Sequence, residues 1–131
     1  MASGSIAQDA GEIDLPLLRE EGKSVPSPEG KEARTDYEIL VRGKDCALLK
    51  LKLHTGRTHQ IRAHCAAIGH PLLGDALYGG GEATRVMLHS WRIMLKHPLS
   101  GEKIVVEAPL PADMREAAEV REIDTTFLAN E

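Results

Sequence analysis

LKLHTGRTHQIRAHCAAIGHPLLGDALYGG, residues 51–80, decides how this chain is read. Its hydrophobic period changes within a few residues. In CALLKLKLH, residues 46–54, Leu49, Leu51 and Leu53 alternate with Lys50, Lys52 and His54. A period of two sends alternate side chains to opposite faces, so this span predicts a half-buried strand with one basic face. Gly56 then breaks the strand. Ile61, Cys65 and Ile68 fall at i, i+4 and i+7, a single apolar stripe of a short helix. Thr58 is the candidate cap. Gly69 is placed to end the helix, and Pro71 prevents its continuation. His59, Arg62 and Ala66 share a different face. The first N–H groups of such a helix have no intrahelical partners and attract anions. Arg57 sits at this mouth and Arg62 about one turn inside. Two guanidiniums there can hold a phosphate or a carboxylate bidentately. The alternative is that both are surface arginines paired with local acids.

Upstream, DYEILVRG (36–43) reads as a strand, and Lys44-Asp45 as the turn of an antiparallel hairpin. Residues 1–34 read as a poorly structured N-terminal segment or linker, punctuated by Gly11, Pro16, Gly22, Pro26, Pro28 and Gly30. Within them only Ile13, Leu15, Leu17 and Leu18 form an apolar cluster, suited to a short strand laid on a body. Residues 35–131 carry the organised part. Downstream, GDALYGGG is turn material, VMLHSWRIMLKHP is extended, GEKIVVEAPLP is a further strand, and ADMREAAEVRE has helical composition. The class predicted is α+β: a mostly antiparallel sheet with helices packed on one face.

At 131 residues the chain suits one domain. Aromatics make up only 3%, so the core must come from Leu, Ile, Val and Ala. No apolar run approaches the roughly 18 residues of a membrane span, and no secretory signal is visible at the N-terminus. Two cysteines, Cys46 and Cys65, make no disulfide framework, so a reducing, cytoplasmic setting is expected. Net charge is −4, but it is unevenly placed. Residues 42–103 hold ten Lys and Arg against four Asp and Glu, while both flanks are acidic. A basic middle can present a phosphate-facing surface, and a mixed soluble surface explains it equally well.

Thr55 to Arg62, His64, Gly69-His70-Pro71, Gly74-Asp75 and Tyr78-Gly79 occur in the order of a known signature. The segment resembles the third signature region of RluA/RluD-type RNA pseudouridine synthases. LHSWRIMLKHPLSGEKIVVEAPLPADM (88–114) is similar to the family's following pattern, and GEIDLPL (11–17) and GKEARTDYEIL (30–40) to the weaker lead-in. The resemblance spans roughly residues 11–114 and implies half of a pseudouridine synthase catalytic domain, the C-terminal half. It implies the isomerisation of uridine in rRNA or tRNA: the base–ribose C–N bond breaks, the base turns, and C5 joins the sugar. The essential residue in that family is an aspartate in an upstream Arg-Leu-Asp segment, paired with an arginine of the HQIR element. Only the arginine has a match here, Arg62. Arg57, Thr58, His59 and Gln60 are the expected RNA-facing residues. No Arg-Leu-Asp occurs in this sequence, and Asp75 belongs to the turn that follows Gly74. The chain is therefore expected to be a C-terminal fragment, inactive alone. It would partner RNA, and either itself or the missing N-terminal half. A non-catalytic RNA-binding module is the alternative.

No metal or organic cofactor is implied. His54, His59, His64 and His70 lie at spacings of five, five and six, which do not place pairs on one helical face. Ser90 and Cys65 lack a nucleophile context, and GGGE (79–82) lacks the flanking strand and helix of a phosphate loop. Tyr78 reads as a structural turn residue. His89 and His97 are given no role.

Overall fold

The computed structural model describes residues 1–80, 83, 85–96, 98–123 and 125. His97, Gly81, Glu82 and the 126–131 end of the organised part lie outside the described residues. The 36–54 prediction is realised as the central hairpin: β5 (Arg34–Gly43) and β6 (Cys46–Leu53) pair antiparallel across the Lys44-Asp45 turn. Asp45 adopts φ 54°, a left-handed turn conformation that aspartate tolerates better than most residues. A bulge interrupts the register between Ile39 and Val41.

Residues 1–34 contradict the expectation of a poorly structured segment. They hold four short strands: β1 (Ala2–Ser3), β2 (Ala10–Asp14), β3 (Leu17–Glu20) and β4 (Lys23–Pro26). β1 and β2 flank the central hairpin to give a sheet of order β1-β6-β5-β2, and β3 and β4 form a separate hairpin. The glycines and prolines mark the ends of short strands, not a lack of structure. Sparse apolar residues suffice because each lands on a prepared surface: Ile6, Ile13 and Leu17 are buried.

After β6 come helix α1 (Gln60–Ala67), a single 3-10 turn at Ala76–Tyr78, the hairpin β7 (Arg92–Lys96) with β8 (Lys103–Glu107), and helix α2 (Ala112–Val120). This is the α+β, mostly antiparallel arrangement expected. The two helices divide between the faces of the sheet, which corrects the expectation that both pack on one face, because alternate residues of β6 are apolar on both sides. Cys46 and Leu48 cluster with Met114 and Ala118 of α2, whereas Ala47, the alternate residue, clusters with Cys65 of α1. The first half of β6 is thus buried on both sides. Its second half is exposed at Lys50 and Lys52, yet it is no basic face: Glu38 and Asp36 stand directly opposite these lysines on β5. Met1, Met87 and Met114 take places in the core, in which thioethers fill the gaps that scarce aromatics leave.

α1 ends as Gly69 predicts. Gly69 has φ 85°, its N–H donates to Ala66, and the His70 N–H donates to Cys65, a Schellman closure. The helix buries His64 completely. Nε2 of His64 faces the Leu15 carbonyl at 2.9 Å and must donate to it; Nδ1 therefore accepts from the Thr35 hydroxyl at 2.8 Å. Burial pushes the imidazole below its ordinary value. A second proton at Nδ1 would displace the hydrogen that the Thr35 hydroxyl now donates there. The unfolded chain, titrating near 6.5, takes up protons that folded His64 refuses. Stability should therefore fall as pH drops from about 7 to about 5. Urea unfolding at both pH values should show the loss, and His64→Gln should flatten it; an unchanged slope in the variant would assign the dependence elsewhere.

Candidate nucleic-acid interface

The loop between β6 and α1, residues 54–59, is shaped by Gln60. The Gln60 side chain is buried and uses its whole hydrogen-bonding capacity. Oε1 accepts from the Thr55 hydroxyl (2.7 Å) and the Arg57 N–H (3.0 Å); Nε2 donates to the Arg34 carbonyl (2.9 Å) and Thr35 Oγ1 (3.0 Å). Gln60 is thus an internal clamp between loop and sheet and cannot face RNA, which corrects the sequence expectation. Thr58 does not cap the helix either. The N-cap is His59, at φ 50° and ψ 29°, with no side-chain cap bond. The Gln60 N–H at the helix start is answered by the Arg57 carbonyl at 3.1 Å instead.

Arg57 and Thr58 are exposed and His59 is half-buried. Arg57 Nε donates to the Glu32 carbonyl at 2.7 Å. The Thr58 carbonyl accepts from Ser24 Oγ. His59 Nδ1 lies 3.3 Å from the Tyr78 hydroxyl, which also accepts from the Ser24 N–H at 2.8 Å. Tyr78 is therefore tied edge-on to His59, with ring centroids 5.9 Å apart. The hairpin β3–β4, the loop and the 3-10 turn meet at this one phenol.

Arg62 projects beside it. Nε and Nη2 donate to the two carboxylate oxygens of Asp75 at 2.9 and 2.8 Å. Asp75 is fully buried, whereas the Arg62 side chain keeps 23% exposure. The hydrogen bonds to Asp75 raise the guanidinium pKa, so its charge is permanent. Its carbon also lies 5.4 Å from the Tyr78 ring centroid. Local acid pairing is one of the two readings of these arginines, and for Arg62 it is realised. Thirteen residues separate the partners, and a tight turn brings them together. The Gly80 N–H closes this turn on the Asp75 carbonyl at 2.7 Å. A Cβ at Gly74 would run into the Arg85 carbonyl, and one at Gly80 into the Leu72 carbonyl.

The histidines disperse. His54 pairs with Asp36 (2.7 Å), His70 faces the Ser3 carbonyl and His89 the Ala108 carbonyl. The His54 contact holds the Asp36 carboxyl below its usual range. Cys65 is buried on α1, and burial pushes its thiol up to about 11. Among the described residues, no helix is long and apolar enough to cross a membrane.

This frame has counterparts. A family model described as RNA pseudouridylate synthase matches residues 5–67. The ribosomal large subunit pseudouridine synthase D of Haemophilus ducreyi is 43% identical over 143 residues, covering 95% of this chain and 44% of that protein. The uncharacterized RNA pseudouridine synthase YhcT of Bacillus subtilis is 41% identical, covering 88% of this chain and 40% of that protein. In fold, the human RNA pseudouridylate synthase domain containing 4 superposes with a TM-score of 0.79 at 20% identity, over 95% of this chain and 60% of that one. The human domain containing 1 gives 0.72 at 24%, over 94% and 63%. With the HQIR helix, the Gly-Asp turn and the antiparallel sheet in place, the chain belongs to the RluA/RluD-type RNA pseudouridine synthase family. It spans less than half the length of these curated relatives.

The Arg62–Asp75 pair makes a direct prediction. Arg62→Ala strands a buried carboxylate and should cost about 3 kcal/mol in urea unfolding. Asp75→Ala added to it should recover much of that loss in a double-mutant cycle. Simple additivity would mean the two residues do not act on each other.

Proposed function

We propose that this chain forms the C-terminal part of an RNA pseudouridine synthase catalytic domain and that Arg62 faces the catalytic aspartate of the remaining part. The observation that carries this is the setting of Arg62: a permanent cation, part-exposed, oriented by two bonds to a buried carboxylate. Asp75 occupies one side of the guanidinium fork and leaves its other donors for a second carboxylate. An arginine in that position holds an incoming aspartate ionised and aimed, as a nearby opposite charge does. Arg57, Thr58 and His59 form the RNA-facing rim, without Gln60. The substrate is a uridine in rRNA, or in tRNA, turned out of its stack at a cost of a few kcal/mol. The setting is cytoplasmic. β2 is one of the two outer strands of the sheet, and its outer edge is where the rest of the domain, or a second copy, would add strands.

Pseudouridine formation on rRNA and tRNA transcripts tests this. The 131-residue chain alone should give none. Combined with the N-terminal part of a relative such as the Haemophilus ducreyi synthase, it should give product, and Arg62→Lys should cut that product about tenfold or more by losing the forked geometry. Product from the chain alone would overturn the fragment reading. RNA binding with no product in either case would identify a non-catalytic RNA-binding module.

A further inference from the structure

The sequence reading left Lys23 among unremarkable residues of the N-terminal segment. In the fold it stands at the mouth. Its Nζ lies 5.8 Å from the centroid of the Tyr78 ring, the ring that Arg62 approaches to 5.4 Å. Its neighbour Ser24 is bonded to the Tyr78 hydroxyl and to the Thr58 carbonyl, one residue from Arg57. The position of Lys23 is thus fixed relative to the loop by two hydrogen bonds on the adjacent residue.

Several arginines elsewhere on the surface are answered by acids. Arg34, Arg42, Arg85 and Arg92 are each paired with a carboxylate, of Glu12, Asp9, Asp113 and Glu107. Arg57 meets only a backbone carbonyl. Glu20 stands opposite Lys23 in the strand register, yet among the described residues neither Lys23 nor Arg57 has a carboxylate oxygen within 4.0 Å. Lys23 and Arg62 therefore flank the Tyr78 ring, Arg57 lies on the adjoining loop, and the carboxylate bonded there, Asp75, is buried and committed to Arg62.

We propose that Lys23 and Arg57 together form a phosphodiester subsite, beside Arg62, that holds the backbone of the bound RNA. The inference rests on the RNA reading above. A phosphodiester suits the pair: a compact ammonium on a flexible stem and a planar fork approach one singly charged group from different elements. Contacts of this kind position RNA without reading its sequence.

The test is binding of a fluorescein-labelled stem-loop RNA, with uridines in the loop, to the full chain across a salt series. Lys23→Gln should weaken binding about three- to tenfold near 0.1 M salt and lower the slope of log K against log salt by about 0.7–0.9, the loss of one phosphate contact. Lys23→Arg should restore the slope. Lys103→Gln, on the remote β7–β8 hairpin, should leave affinity and slope as they are. An unchanged slope in Lys23→Gln, an equal drop in Lys103→Gln, or a Lys23→Arg variant as weak as Lys23→Gln would each overturn the subsite. Absence of RNA binding by the unsubstituted chain would instead overturn the RNA reading on which it rests.

Discussion

The chain of hydrogen bonds Gln60–Thr35–His64 anchors the arrangement. Gln60 Nε2 donates to Thr35 Oγ1, the Thr35 hydroxyl donates to His64 Nδ1, and His64 Nε2 donates to the Leu15 carbonyl. All three side chains are buried. In a low-dielectric interior a polar group without a partner is costly, so these bonds hold α1 at one rotation and one height on β5. Everything at the mouth inherits that setting. The loop wraps Gln60, His59 turns left-handed to enter the helix, and Arg62 leaves α1 toward Asp75.

From that anchor the site is assembled by elements far apart in sequence. The Gly74–Gly80 turn brings a buried carboxylate to Arg62. The β3–β4 hairpin brings Ser24 and Lys23 to Tyr78. Tyr78 serves as the hub because a phenol offers a ring face to cations and an oxygen to hydrogen bonds at once. Through it the turn, the loop and the β3–β4 hairpin are joined. At the mouth Arg62 is answered by the buried Asp75, whereas Lys23 and Arg57 have no carboxylate within ion-pair distance among the described residues.

The burial pattern has the same logic. Cys46 and Leu48 face one cluster and Ala47 the other, so the start of β6 is covered on both sides while its end emerges into solvent. The strand leads the chain from core to surface within eight residues. That is why the loop after β6 can be exposed and still be rooted in the core.

What the sequence by itself determined is local. The alternation of 49–54 dictates a strand, the Gly69-His70-Pro71 run dictates where α1 stops, and Lys44-Asp45 dictates a hairpin turn. These follow from periodicity and from backbone conformations that few residues adopt, both carried by neighbouring positions. The succession from Thr55 to Gly79 also identified the family. Tertiary structure decided the rest. It ordered residues 1–34, whose few apolar side chains have no local periodicity and are buried only because the sheet and α1 offer them a surface. It took Gln60 out of the interface and into the interior, since a polar side chain near a helix start looks the same in sequence whether it faces solvent or a neighbouring strand. It joined Arg62 to Asp75 and placed Lys23 beside them. Ion pairs and cation–ring contacts depend on distances in space, which one-dimensional spacing does not encode once a turn or a hairpin intervenes.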